Sequence, residues 1–351
     1  MKVVFSGAFS TQKQSTGVQR YAREILAELD KLILGSSSHF ELLVPMYADH
    51  IPNYQNIRVI KKGNLPIALW NQIVLPNYAK RTGALCVDLC GSLPILKPDI
   101  VCIFDCISNL FPENYTTGAE KRRRLFYLLR ARLCIIHCKL LIVISKQTQN
   151  DVLRLYHISP QKVRILYCGW QHIKDVVEDE TIFEHFPQLK AKTYNMAMGN
   201  NHKTKNLSWI IETAKRNPDE LFVVTGNRCG SADVALSNVV YTGFISDGQV
   251  KALMRGCKAY FQPSLYEGFG IPPLEAMYCG AKAVVSKASC FPEIYDDCAY
   301  YIDPYRPCDC LTDIFTQPIS DCQKVLERYS WTRSAEKIIQ IISERGINSC
   351  N

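Results

Sequence analysis

The apolar run Ala259-Tyr-Phe261 leads into Pro263-Ser-Leu-Tyr-Glu-Gly-Phe-Gly-Ile-Pro-Pro-Leu-Glu-Ala-Met-Tyr-Cys-Gly280, and few local structures accept that succession. It reads as a strand, a glycine-rich turn carrying Glu267, and a helix opened at Pro272/Pro273. Gly268 and Gly270 permit positive φ and let backbone N–H groups come close to a ligand. Proline is tolerated at the start of a helix because its missing N–H has no intrahelical partner there. The unpaired N–H groups and partial positive charge of a helix N-terminus suit a pyrophosphate. Glu275 is expected in the first turn of this helix. The two carboxylates then flank the turn, as sugar and ribose hydroxyls flank the diphosphate of a nucleotide-sugar. A capped strand–turn–helix whose acids merely offset the helix dipole is the plainer alternative, and two glutamates alone do not exclude it.

The rest of the chain repeats the same alternation of strand and helix. In the first half Val3–Phe5, Phe40–Val44, Ile57–Ile60, Asp99–Phe104 and Leu140–Ile144 read as strands. A helix opens at Gly17, and another follows Ser145, whose hydroxyl is a ready N-cap. The acidic stretch around Glu178–Glu180 interrupts the pattern. A second series then runs through Tyr194–Met198, Leu221–Thr225, Val239–Thr242, Ala259–Phe261, Ala283–Ser286 and Tyr300, and the chain ends in a helix from near Trp331. Alternating strands and helices imply α/β architecture with parallel sheets. At 351 residues, two domains are expected. Their bounds are read as 1–168, a linker at 169–190, 191–330, and a terminal helix at 331–351.

No apolar run reaches the roughly 18 residues that span a bilayer, and the opening turns polar too soon for a signal-peptide core. A cytoplasmic chain, peripheral to the inner face of the membrane at most, is the expectation. The 16 cysteines show no zinc spacing and are expected to be reduced. Net charge +8 favours anionic partners. It is concentrated in Lys121-Arg-Arg-Arg124 and the segment running to Arg132, a basic amphipathic helix suited to anionic membrane, or equally the solvated face of a packed helix. No motif for nucleic-acid binding accompanies the charge.

The block from Pro263 to Gly280, with Pro292-Glu293-Ile294 after it, resembles the Glu-x7-Glu signature of family 4 retaining glycosyltransferases, which have the GT-B fold. The resemblance implies two Rossmann-like α/β domains facing across a cleft, with the terminal helix crossing back onto the first. It implies that Glu267 contacts the donor sugar, that Glu275 holds the ribose, and that Gly268, Phe269 and Gly270 cradle the diphosphate. Met198-Gly-Asn-Asn-His-Lys-Thr-Lys-Asn-Leu207 is similar to the segment whose lysine meets the donor phosphates, which maps to Lys205, with Asn206 capping the next helix. Many members carry Arg where this chain has Asn200; Asn200 and Lys203 are both counted among the donor-binding residues, and the phosphate grip is expected to come in part from Lys203 or to be weaker. A solvent-facing lysine at a helix start is the alternative for Lys205. Gly17 matches a loop near the diphosphate and acceptor, and a plain turn glycine explains it as well. Asp105 follows a strand where members often have His-Asp, the His contacting the sugar; here Phe104 replaces the His. Glu293 is open to a donor-facing role or to that of an ordinary helix-start acid.

The implied activity is a metal-independent, retaining transfer of a hexose (mannosyl, rhamnosyl, galactosyl or glucosyl) from a nucleotide-diphosphate sugar. The implied acceptor is a growing, lipid-linked surface polysaccharide of the capsule or O-antigen kind. Catalysis would rest on Glu267, Lys205 and Asp105, by orientation and charge stabilisation rather than a general base. No cofactor beyond the donor substrate is expected. A non-catalytic nucleotide-sugar-binding protein, or a GT-B phosphorylase or epimerase, is the competing class. A dinucleotide enzyme is excluded by the lack of Gly-x-Gly-x-x-Gly after a first strand.

Overall fold

The computed structural model describes residues 1–11, 17–34, 39–199, 202–226 and 236–347. The chain divides into two compact units, Met1–Cys168 with Trp331–Asn351, and Gly169–Ser330. The stretch 169–190 thus belongs with the second unit, where it forms short helices at His172–Asp175 and Ile182–His185.

The first unit is built on seven strands: β1 (Lys2–Ser6), β2 (His39–Val44), β3 (Arg58–Lys61), β4 (Leu85–Asp88), β5 (Ile100–Ile103), β6 (Leu140–Val143) and β7 (Val163–Ile165). They form a sheet in the order β3-β2-β1-β4-β5-β6-β7, with every pairing parallel. This is the doubly wound order, in which the direction of strand addition reverses beside β1. The Gly17–Leu32 helix buries Tyr21, Ala22, Ile25, Leu26 and Leu29, one stripe at helical spacing. The Trp331–Ile347 helix packs on it, bringing the buried Trp331 ring within 6.0 Å of Tyr21 edge-on.

Two strands, the Ile67–Thr82 helix and the short Ile107–Leu110 helix of this unit go beyond the sequence reading. The Ile67–Thr82 helix contains Pro76, which forfeits an intrahelical bond. Burial of Trp70, Leu75, Pro76 and Ala79 holds it nonetheless. Strand β4 ends on Asp88, whose fully buried carboxylate accepts from Cys90 N at 3.0 Å and Leu93 N at 2.9 Å. Desolvation pushes that carboxyl up, opposed by those hydrogen bonds. Strand β7, Val163–Ile165, is too short to carry a periodic signal.

The second unit holds β8 (Tyr194–Gly199), β9 (Leu221–Gly226), β10 (Val239–Gly243), β11 (Ala259–Gln262), β12 (Lys282–Ser286) and β13 (Tyr300–Ile302). Their order is β10-β9-β8-β11-β12-β13, again wholly parallel. Trp209, Ile210, Phe222, Val224, Phe261 and Val284 are core residues between sheet and helix. The strand order reverses between β8 and β11, so their carboxyl ends, Gly199 and Gln262, border the crevice where ligands of such sheets bind. Gly226, at the end of β9, has φ +103° and no room for a side chain: a Cβ would lie 2.1 Å from the Gly199 carbonyl oxygen.

The basic segment of the first unit lies within the Gly118–His137 helix, opened by a reciprocal Thr117–Glu120 capping box. The helix turns Ala131, Cys134 and Ile135 inward, while Leu125 is 67%, Phe126 71%, Leu129 54% and Ile136 47% exposed. At about 100° per residue, Leu125, Leu129 and Ile136 fall within about 40° of one another, with the exposed Lys121, Arg122 and Arg132 at the margins of their stripe. The helix is therefore apolar on two faces, one in the core and one outward. No helix among the described residues is long and apolar enough to cross a membrane.

Candidate functional site

The site residues of the second unit gather where β8 and β11 end. After β8 the chain makes a short turn, Lys203–Lys205. Leu265 N donates to Thr204 O at 2.8 Å, tying that turn to the loop after β11. Asn206 reinforces the tie, its Nδ2 donating to Pro263 O at 3.0 Å and Pro304 O at 2.8 Å. Asn206 stands at the N-cap of the following helix, but with φ +56° and no side-chain capping bond. The expected cap is therefore corrected: the amide braces loops, because a left-handed backbone turns it away from the helix amides.

This bracing brings Lys205 and Glu267 together, their Nζ and Oε1 2.7 Å apart. The same Oε1 accepts from Gln262 Nε2 at 2.8 Å and Ser264 Oγ at 2.8 Å. Gln262 and Ser264 are buried, whereas the Lys205 side chain keeps 30% of its surface in solvent. The carboxylate is thus fixed by two interior neutral donors and capped by one partly exposed cation. A lysine so placed can leave for a phosphate without stranding Glu267, since the neutral donors stay.

The turn carrying Glu267 is clasped by the segment after β12. Ser289 Oγ accepts from Glu267 N at 3.1 Å and donates to Glu267 O at 2.8 Å. Ser286 Oγ donates to Ser264 O, Cys290 Sγ to Phe269 O, and the Tyr295 hydroxyl to Gly270 O. Gly270 has φ +84°, and a Cβ there would meet the Phe291 ring at 2.5 Å, so both backbone and packing require glycine. Gly268, expected to share this conformation, has no positive φ. The Phe269 side chain is buried, edge-on to Tyr329 at 5.3 Å.

The helix after the turn runs Ile271–Tyr278, with Gly270 at its N-cap. Pro272 and Pro273 are its second and third residues, so their missing N–H groups are among those with no partner in any helix. Glu275 is the fifth residue, in the second turn rather than the first. The helix begins at Ile271, ahead of the prolines that mark its start in the sequence. Its carboxylate is buried, with Oε1 2.6 Å from His172 Nε2. Burial, then the charges of Glu275 and Glu267, push the Tyr260 phenol well above its usual value. Both acids thus act on one interior group, which puts them in one neighbourhood.

The other expected residues are more scattered. Lys203 is exposed in its turn, and Asn200 lies outside the described residues. Gly17 and Asp105 belong to the first unit. Gly17 is the first residue of its helix, and a Cβ there would meet nothing within 4 Å. Asp105 Oδ1 accepts from Ile107 N at 2.9 Å, closing a local turn after β5. Phe104 packs edge-on to Tyr21, ring centroids 5.1 Å apart. Glu293 is half-buried, and its carbonyl accepts from the Tyr329 hydroxyl at 3.4 Å.

Gln262, Ser264, Ser286, Ser289 and His172 escape a reading by motif. Ser286, Ser289 and His172 meet partners on other segments, while Gln262 and Ser264 meet Glu267 within its own loop; only the Ser264 position, within the Pro-Ser pair before the turn, carries a signal. No cluster of His, Cys, Asp and Glu able to hold a metal occurs among the described residues, and the described cysteines are free thiols.

Residues 178–314 match the family described as Glycosyl transferases group 1. The chain is 23% identical over 226 residues to the O-antigen chain mannosyltransferase RfbU of Salmonella typhimurium, covering 61% of this chain and 59% of that protein. It is 26% identical over 183 residues to O-antigen chain mannosyltransferase B of Escherichia coli, covering 47% and 48%. The matches thus span about half the length of these relatives. Over 64 residues identity to the serotype-specific mannosyltransferase WbdA of Escherichia coli rises to 45%, covering 18% of this chain and 8% of that one. Among solved structures, the sucrose-phosphate synthase of Thermosynechococcus elongatus aligns with TM-score 0.69 at 15% identity, covering 100% of both chains. Anabaena HepE, solved with UDP-glucose, aligns with TM-score 0.68 at 17% identity over 98% of this chain and 100% of that one. The likeness shows the fold, GT-B, with its two parallel-sheet α/β domains.

Proposed function

We propose that this chain, whose residues 178–314 carry a glycosyl transferases group 1 domain, transfers a hexose from a nucleoside-diphosphate sugar to a growing surface polysaccharide, with retention at the anomeric carbon. The observation that carries the reading is the meeting of Lys205 and Glu267 at the strand-order reversal, beside a glycine turn that opens a helix. A cation, turn amides and a helix N-terminus are what a departing diphosphate needs. In this reading Lys205 swings from Glu267 onto the diphosphate as the donor enters. Glu267, still held by Gln262 and Ser264, faces the sugar and stabilises positive charge building at its anomeric carbon. Glu275 takes the ribose. The acceptor attacks from the face the diphosphate leaves, and the diphosphate oxygen receives its proton. Lys205, Lys203 and the amides of 268–270 supply the charge stabilisation, so no divalent ion is assigned a role.

Mannose is the favoured sugar, since the named activities of the O-antigen relatives are mannosyl transfers. A lipid-linked acceptor fits the outward stripe of Leu125, Leu129 and Ile136 with its basic margins, which suits the face of an anionic membrane. Thermal unfolding against UDP-, GDP-, dTDP- and CMP-sugars, with EDTA present, tests the reading. A ligand that binds only the folded chain raises its melting temperature. Stabilisation by one nucleotide class, lost in Glu275→Ala, is the expected result. A folded protein that responds to none of them refutes it. Release of free sugar from the stabilising donor separates a transferase from a non-catalytic binding protein.

A further inference from the structure

We infer that His172 is a positioning residue for nucleotide recognition, fixing the Glu275 carboxylate so that it discriminates a ribose from a deoxyribose. The inference rests on the reading of Glu275 as the ribose-binding acid and adds a residue from a distant part of the chain. His172 stands on the short His172–Asp175 helix, 103 residues before Glu275, with Nε2 2.6 Å from Glu275 Oε1. His172 is 9% and Glu275 5% exposed. An ionised carboxylate only accepts, so the ring carries its proton on Nε2 and donates it. A carboxylate on a three-torsion side chain pivots freely unless one oxygen is held. Holding Oε1 sets the plane of the group and with it the direction of its lone pairs.

The bond is not needed to anchor the segment on which His172 lies. Trp170 Nε1 already donates to Leu326 O at 2.9 Å, and Gln171 Nε2 to Tyr329 O at 2.9 Å. The buried Lys251 ammonium donates to Lys174 O at 3.1 Å and Val176 O at 2.7 Å, closing the far end. Lys174 in turn sits 5.0 Å over the Trp170 ring. An interior acid–imidazole pair seldom stabilises a fold better than apolar residues of the same volume. With the segment fastened on both sides of His172, orientation of Glu275 is the consequence that remains.

The test is calorimetric titration of UDP and GDP, each against its 2′-deoxy counterpart, on the full chain. The parent protein is expected to prefer the ribonucleotide by about tenfold or more, the scale of one hydrogen bond to a charged group. Glu275→Gln and His172→Phe should both bring the ratio close to one. His172→Gln, whose amide places a donor near the Nε2 position, should keep most of it. Should His172→Phe fail to fold, His172→Met, of similar reach and without a donor, replaces it. A parental ratio in His172→Phe or His172→Met, alongside a collapsed ratio in Glu275→Gln, overturns the role of His172. An unchanged ratio in Glu275→Gln, or no binding of either nucleotide to the parent, removes the ribose reading itself and the inference with it.

Discussion

Replacement of Glu267 separates what the carboxylate does for the fold from what it does for chemistry. Its Oε1 takes bonds from Lys205, Gln262 and Ser264. In Glu267→Ala the amide of Gln262 and the hydroxyl of Ser264 lose that acceptor at 4% and 0% exposure. A buried donor left without a partner costs about 1–3 kcal/mol. Water entering the vacated volume recovers part of this, so about 2 kcal/mol in all is expected. Lys205 adds little, because its side chain is 30% exposed and it turns to solvent. For a unit of this size about 2 kcal/mol lowers the melting temperature by roughly 4–8 °C. Glu267→Gln keeps a carbonyl acceptor for the interior donors but removes the charge. Its melting temperature should stay within about 2 °C of the parent, while transfer falls by about 100-fold or more, the effect of losing one electrostatic contact to a transition state. Differential scanning calorimetry of both variants, with sugar release from the stabilising donor, makes the comparison. Equal melting shifts in Ala and Gln would show that the interior donors do not depend on this carboxylate. Full transfer by Glu267→Gln would refute the role given to its charge.

Three further outcomes follow from other parts of the molecule. Gly226→Ala should lower stability by at least about 2 kcal/mol, from the left-handed backbone and the encounter with the Gly199 carbonyl, and urea unfolding at the parental midpoint would contradict this. Leu125→Ser/Leu129→Ser should weaken co-sedimentation with vesicles of phosphatidylglycerol and phosphatidylethanolamine by at least about tenfold, as two buried leucines contribute about 3 kcal/mol or more. Parental partitioning of that double variant would exclude the stripe as a membrane contact. Iodoacetamide at pH 8 should modify the exposed Cys310 while sparing Cys257 and Cys279, whose thiols burial pushes up to about 12 and about 11. The thiolate is the nucleophile, so these two should react only as pH approaches those values; peptide mapping that finds Cys257 modified early at pH 8 would contradict its burial.

The local parts of this protein were determined by the sequence alone. Strands such as Ile100–Ile103 and Leu140–Val143 are apolar throughout, because a parallel sheet covered on both faces demands it. The Glu267–Gly270 turn and the proline-led helix after it are written in consecutive residues, and so are their chemical consequences. Where local signals conflict, tertiary burial decided. The Ile67–Thr82 helix survives Pro76 because Trp70, Leu75 and Ala79 are buried, and β4 ends on a buried Asp88 because loop amides satisfy it. The helix at Gly118–His137 was legible as basic and amphipathic, but the outward direction of Leu125, Leu129 and Ile136 depends on which face the sheet takes up. The distant partners of the site's acids, Lys205 and His172, belong to tertiary structure. Gln262 and Ser264 reach Glu267 from its own stretch of chain, whereas Lys205 meets it across 62 residues because β8 and β11 are neighbours in space, though their starts at 194 and 259 lie 65 residues apart in the sequence. His172 meets Glu275 across 103 residues, and no pattern of neighbours in the chain encodes that distance. Hydrogen bonds between loops carry no period, so the sequence names the acids and the fold chooses what holds them.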